Sequence, residues 1–203
     1  MNAPAKRLPP RATLADVEAV SPHKVAELVD GILHVMSRPA PRHLNAEGAI
    51  HGELYAPFQR GRGGPGGWWI LTEPELHFAD PLVLGDVEVL TPDIAGWTLE
   101  RMPELPDVGH FDLAPDWICE VLSKSTETFD REEKMPVYAR EGVRHAWLVD
   151  PIARTLEVYE LSGKRSWGTP AMHGGAARIR VPPFEALELD LSALWVPAPR
   201  LAR

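Results

Sequence analysis

PDWICEVLSKSTETFDREEKMPVYAREGVRHAWLVDP, residues 115–151, is the stretch whose reading decides the fold. It opens on a compact apolar run, Asp116 to Leu122, punctuated by one acid, Glu120; that is the composition of a strand buried on at least one face. Residues 127–141 then read as a helix, closed by Gly142 where a left-handed cap is favoured. Pro136 is awkward there, because it removes a backbone donor and must either kink the helix or mark the first turn of its second half. Strands follow at 146–149 and 155–161, joined by a tight turn at Asp150-Pro151. Strand, helix and strand in this order predict a crossover unit inside a mixed sheet.

Working outward, residues 14–20 predict a short helix ended before Pro22. Two apolar runs, 25–29 and 32–36, flank Asp30-Gly31, a dipeptide that tolerates positive φ at both centres of a hairpin turn. Between His43 and Phe58, apolar residues at Leu44, Ile50, Leu54 and Phe58 approximate a helical stripe. RGRGGPGG, residues 60–67, lacks the trailing Lys-Ser or Lys-Thr of a phosphate-binding loop and reads as a flexible connection. Residues 68–78 and 87–97 are rich in β-branched and aromatic side chains and read as strands.

Two of these apolar strands carry an acid, Asp93 in VEVLTPDIAGW and Glu120 in DWICEVL. A buried carboxylate costs several kcal/mol unless it is paired, hydrogen-bonded or metal-bound. One divalent cation shared between the two would offset their repulsion, and oxygen ligands suit Mg²⁺ or Mn²⁺. The plainer alternative is that Asp93 caps a bend after Pro92 while Glu120 pairs with a nearby Arg or Lys. Strand alternation puts Ile118, Glu120 and Leu122 on one face and Trp117, Cys119 and Val121 on the other. Leu122 stands where a lysine beside Glu120 would be expected. Lys134 and Asp130, four apart on the following helix, point the same way and could aim an ammonium at the site; spacing alone favours a surface ion pair. His43, His51 and His77 are too scattered to specify a zinc site. Ser123, Ser125 and Thr126 suit the bonding of backbone groups where strand turns to helix.

The segment 115–151, with PDIAGW upstream, closely resembles the Uma family of putative restriction endonucleases, within the PD-(D/E)xK nuclease-like superfamily. Acid, Ser-x-Ser-Thr, Asp-x-x-x-Lys, Tyr-Ala and Gly-Val fall in the family's order and spacing, and ELVDGILHVM with the following His43 extends the resemblance over most of residues 13–161. It implies an α/β fold with a restriction-endonuclease-like mixed β-sheet flanked by helices. It also implies that Asp93 is the proline-linked aspartate, Glu120 the strand acid, and Lys134 a catalytic lysine moved from strand to helix. Glu27 matches the early acid of the hairpin. The expected chemistry is metal-dependent hydrolysis of a phosphodiester in nucleic acid, DNA before RNA. Mg²⁺ or Mn²⁺ would rest on Asp93, Glu120 and the Val121 carbonyl, with Glu27 holding a second ion or a metal water. The alternatives are a nuclease-fold binding or interaction module without catalysis, and a hydrolase of a small phosphorylated substrate.

Composition narrows these readings. With 203 residues, 44% hydrophobic and 25% charged, the chain has the make-up of one full-size globular domain. We expect that domain over 13–196, with flexible proline-rich tails at 1–12 and 197–203. No run reaches membrane-span length, and no apolar leader stands at the N-terminus, so a cytoplasmic protein is expected. Cys119 is the single cysteine, which excludes an internal disulfide and a cysteine-rich zinc site. A formal net charge of -8 argues against binding nucleic acid over the whole surface and leaves room for a local basic groove. The Trp-rich apolar segments could supply a homodimer interface.

Overall fold

The computed structural model describes residues 11–79 and 87–197. Residues 1–10 and 198–203, most of the expected tails, lie outside the described residues.

A short helix, α1 (Leu14–Glu18), leads into the hairpin β1 (Lys24–Val29) and β2 (Ile32–Ser37). Asp30 and Gly31 both take positive φ, 51° and 73°, which turns the chain in two residues and fixes the register Val29↔Ile32. Helix α2 (Pro41–Leu54) follows, continued by a π-helical turn at Tyr55–Gln59. Its buried stripe is Ala46, Ile50 and Leu54; Leu44, expected in that stripe, is 50% exposed. Leu44 stands two residues before Ala46, about 200° around the helix, and therefore faces away from that stripe.

The two long strands expected at 68–78 and 87–97 are each broken in two. The first is β3 (Trp68–Thr72) and β4 (Leu76–Ala79), the second β5 (Val87–Leu90) and β6 (Ile94–Thr98). The breaks have local causes: Glu73 sits at φ 47° before Pro74, and Pro92 cannot donate to a ladder. Each break sends the chain from one sheet to another. β4 and β5 belong to a four-stranded sheet of order β2-β1-β5-β4. β3 and β6 belong to a six-stranded sheet of order β10-β9-β8-β7-β6-β3. The two corners meet, with the Glu73 N–H donating to the Asp93 carbonyl at 2.9 Å. Asp93 therefore stands at a bend between sheets and not in mid-strand.

The centre of the six-stranded sheet is β7 (Trp117–Val121), every residue of which is buried. It pairs antiparallel with β6 and parallel with β8 (His145–Asp150), which is the anticipated crossover. β9 (Thr155–Glu160) and β10 (Ala171–Gly174) continue the sheet. A small ribbon of β11 (Arg178–Ile179) and β12 (Leu189–Asp190) precedes a closing turn of 3₁₀ helix, Leu191–Leu194. The crossover segment begins as α3 (Glu127–Phe129), widens to a π-helix over Asp130–Lys134, and returns to an α-helix, α4 (Met135–Glu141). Pro136 lies in the first turn of α4, one of the two anticipated placements, and the wide turn before it accommodates a ring that a regular α-helix would not. Gly142 closes the helix at φ 84°.

Alternation along β7 divides the core as expected. Trp117, Cys119 and Val121 pack with α2, Trp147 and Phe184, and Trp117 meets Trp147 edge-on at 5.2 Å. Ile118 and Leu122 pack on the other face with Met135, Tyr138 and the four-stranded sheet residues Phe78 and Leu90. Glu120 shares that second face and is the one acid among its apolar neighbours on β7. No helix among the described residues is long and apolar enough to cross a membrane.

Candidate metal centre

One cleft of about 180 Å³ opens between the two sheets, and Glu27, Asp93, Glu120, Val121 and Lys134 all line it. Four separate elements bring them there. Glu27 comes from β1, Asp93 from the corner before β6, Glu120 and Val121 from β7, and Lys134 from the π-helical turn. That turn sets Asp130 and Lys134 inward together, so their pairing at 3.9 Å is buried and not the surface ion pair that spacing suggested.

The Lys134 ammonium lies 2.9 Å from Glu27 Oε1, 2.9 Å from Glu120 Oε1 and 3.1 Å from the Thr91 carbonyl. An ammonium has three donors, and these contacts use all of them. Tyr138 donates to the same Glu120 oxygen at 2.7 Å. Glu27 Oε1 also accepts the Thr91 N–H at 2.6 Å. Both features of the plainer alternative are thus present as geometry, since Asp93 stands at the bend after Pro92 and Glu120 pairs with a lysine.

Asp93 is tied down through both oxygens. Oδ2 accepts the Val121 N–H at 2.6 Å, and Oδ1 lies 2.8 Å from His43 Nε2. The last rung between β6 and β7 pairs Ile94 with Cys119, and just beyond it the Asp93 carboxylate takes the Val121 N–H.

Glu47 is the residue that reading the sequence missed, and His43, though part of the resemblance, counts there only as one of three scattered histidines. His43 and Glu47 stand four apart on α2 and so share one face. With Asp93 they present three ligand-type atoms, all within 4.8 Å of one another. The available signal was the four-residue spacing of His43 and Glu47 beside the stripe that buries α2. A single histidine without its carboxylate neighbour carries no such information.

Charge is unbalanced here. Among the less exposed groups, Glu27, Glu47, Asp93, Glu120 and Asp130 bring five carboxylates against one ammonium, Lys134, and one imidazole, His43, while Glu73 and Arg38 pair at the exposed rim of the cleft. Glu27 is 1% exposed, Glu120 2%, Asp130 4% and Glu47 7%. Burial, with the charges of Asp93 and Glu73, pushes the Glu47 carboxyl up to about 7. Burial likewise lifts Asp130 to about 6 against the pull of Lys134 and Thr126. Glu120 is raised by burial, opposed by Lys134, and raised further by Asp130, Asp93 and Glu27. For Lys134, burial works against the ammonium, but Glu120 and Glu27 outweigh it and hold the lysine protonated. The same contest at His43 ends with the imidazole raised by Asp93. A buried surplus of negative charge bearing oxygen and imidazole donors fits a divalent cation. Cys119 is buried, and burial pushes its thiol up, so it is no nucleophile.

Comparison with known proteins agrees with this architecture. The family model Uma2, described as "Putative restriction endonuclease", matches residues 13–192. The chain is also similar to a solved structure described as a putative nuclease belonging to DUF820 from Anabaena variabilis ATCC 29413, with 21% identity and a TM-score of 0.66. That match covers 90% of this chain and 96% of the other, a likeness of fold. No curated protein matches the chain. A mixed sheet flanked by helices, an acid-lined cleft where two sheets meet, and a family match over nearly the whole length together place this chain in the Uma2 family of restriction-endonuclease-like proteins.

Proposed function

We propose that the protein is a metal-dependent endonuclease that hydrolyses phosphodiester bonds of nucleic acid, DNA before RNA, at the cleft between Asp93, Glu120 and Lys134. The observation that carries this reading is the surplus of buried carboxylates over cations on a nuclease-like fold. Asp93, Glu120 and the Val121 carbonyl would hold Mg²⁺ or Mn²⁺. When bound, such an ion supplies Lewis-acid polarisation of the phosphate and a water of lowered pKa.

The protein's own groups have definable tasks. Lys134 is kept protonated by the acids around it, so it serves as a fixed positive charge and not as a general base. With its donors committed to Glu27, Glu120 and Thr91, it orients Glu120 and offsets negative charge gathering at the phosphate through a weakly screened interior. Glu27 acts as the counter-charge that anchors Lys134 through Oε1, beside the second ion or metal water that the resemblance assigns to it. Lys134 and Tyr138 both hold Glu120 Oε1, and Oε2 accepts no hydrogen bond among the described residues. Arg38, Ser123 and Ser125 line the same cleft and offer contacts to a phosphate.

The test uses end-labelled single-stranded DNA, duplex DNA and RNA, each incubated with the purified protein in Mn²⁺, Mg²⁺ or EDTA. Cleavage that requires metal and is lost in Glu120→Gln is expected. Metal-independent cleavage, cleavage equal in the variant, or none by the wild type on any substrate would contradict the proposal.

A further inference from the structure

We propose that His43 and Glu47 are ligands of the same ion as Asp93, and that the imidazole makes the cleft a site for a first-row transition ion, of which Mn²⁺ is the probe, in preference to Mg²⁺. This rests on the metal-dependent reading of the cleft and adds two residues and a metal preference to it.

Geometry comes first. Ligands around one ion at about 2.0–2.3 Å can be separated by at most about 4.6 Å. The His43, Glu47 and Asp93 ligand atoms lie within 4.8 Å of one another, so closing on an ion takes a shift of a few tenths of an ångström. The support is rigid: His43 and Glu47 project from the first turns of α2, whose Ala46, Ile50 and Leu54 are fully buried against the sheet. Asp93 is fixed by the Val121 N–H and by the corner bond from Glu73.

A second observation is independent of that spacing. Glu47 is 7% exposed and makes no hydrogen bond or ion pair among the described residues, while Asp93 and Glu73 add negative charge around it. A carboxylate so placed is costly unless something binds it. His43 alone does not remove the cost, because its Nε2 is directed at Asp93.

The donor set then selects the metal. Mg²⁺ prefers oxygen and releases its waters reluctantly, whereas imidazole suits the transition ions. One nitrogen among carboxylates therefore favours Mn²⁺ over Mg²⁺ without the thiolates that a soft site would need.

The experiment is calorimetric titration of metal-free wild type, His43→Ala and Glu47→Gln with Mn²⁺ and with Mg²⁺, together with pulsed electron paramagnetic resonance of the Mn²⁺ complex. Wild type should bind Mn²⁺ at least about tenfold more tightly than Mg²⁺, and the spectrum should show modulation from a directly bound imidazole nitrogen. His43→Ala should lose that modulation and about tenfold or more in Mn²⁺ affinity, the scale on which even outer partners act, with little change for Mg²⁺. Glu47→Gln should weaken both ions. His43→Asn, which keeps a polar group beside Asp93, serves if the alanine variant fails to fold. Mn²⁺ affinity unchanged in the His43 variants, or no nitrogen coupling in wild type, overturns the inference and leaves an ion on Asp93 and Glu120 alone. Absence of binding by either ion overturns both this inference and the metal-dependent reading beneath it.

Discussion

Lys134→Met removes the charge from the centre of the cleft while keeping an unbranched stem of similar volume. The ammonium stands 2.9 Å from each of two carboxylates that are 1% and 2% exposed. At an effective dielectric near 20, each contact is worth about 6 kcal/mol before desolvation. The desolvation of three buried groups offsets much of that, and removing one partner of a buried pair typically costs about 3–5 kcal/mol. We expect Lys134→Met in EDTA at pH 8 to lose stability in that range, measured by urea unfolding. The deficit should shrink as pH falls, because Glu120, already raised by burial and left beside the charge of Glu27 without a cation, can take up a proton in the folded state. Mn²⁺ should also narrow it by substituting positive charge. A loss below about 1 kcal/mol that does not vary with pH would refute the reasoning, since it would mean that the buried acids do not depend on the lysine for neutralisation.

Two other perturbations follow from the same cluster. Glu47 is raised from 4.5 to about 7 and Asp130 from 3.8 to about 6, so the folded metal-free protein binds protons that the unfolded chain has released. As far as these two groups are concerned, its stability should be greatest below pH 3.8 and fall as pH rises from there through about 6 to 7; Glu47→Gln should flatten the upper part of that slope in urea melts in EDTA. Tyr138→Phe removes the phenol that donates to Glu120 at 2.7 Å and should cost about 1.5–3 kcal/mol, the range for a hydrogen bond to a charged group. It should weaken metal binding as well, whereas a purely structural tyrosine would leave metal affinity unchanged in calorimetry.

The fold was legible where local chemistry and tertiary structure agree. The Asp30-Gly31 hairpin, the strand–helix–strand crossover around Glu120 and the Gly142 cap all rest on residues whose backbone preferences admit few alternatives. The breaks at Glu73 and Pro92 were less legible, because β-branched and aromatic composition continues through both corners and conceals a change of sheet. Leu44 misled for a related reason: fully buried Ala46 carries the stripe of α2, and a small residue adds little to an apolar pattern. At the site, Asp93, Glu120 and Lys134 stood out as charged residues in apolar or periodic settings or through family resemblance. Glu47 did not, and His43 stood without an assigned role, since their partner Asp93 lies across a fold-level contact 50 residues from His43 in sequence. The commitment of all three Lys134 donors was likewise invisible, because it depends on a π-helical turn that no local pattern announces.

The central claim is that Asp93 anchors a divalent cation, and thermal unfolding of wild type and Asp93→Asn, each in EDTA and in Mn²⁺, tests it most directly. Asparagine can still accept the Val121 N–H, so the strand contact is preserved while the charged ligand is lost. With free Mn²⁺ a hundredfold above its dissociation constant, wild type should gain about 2.7 kcal/mol and a corresponding rise in Tm. Asp93→Asn should show little or no gain under the same conditions. An equal gain in both proteins would place the ion elsewhere, and no gain in wild type would contradict the metal centre itself.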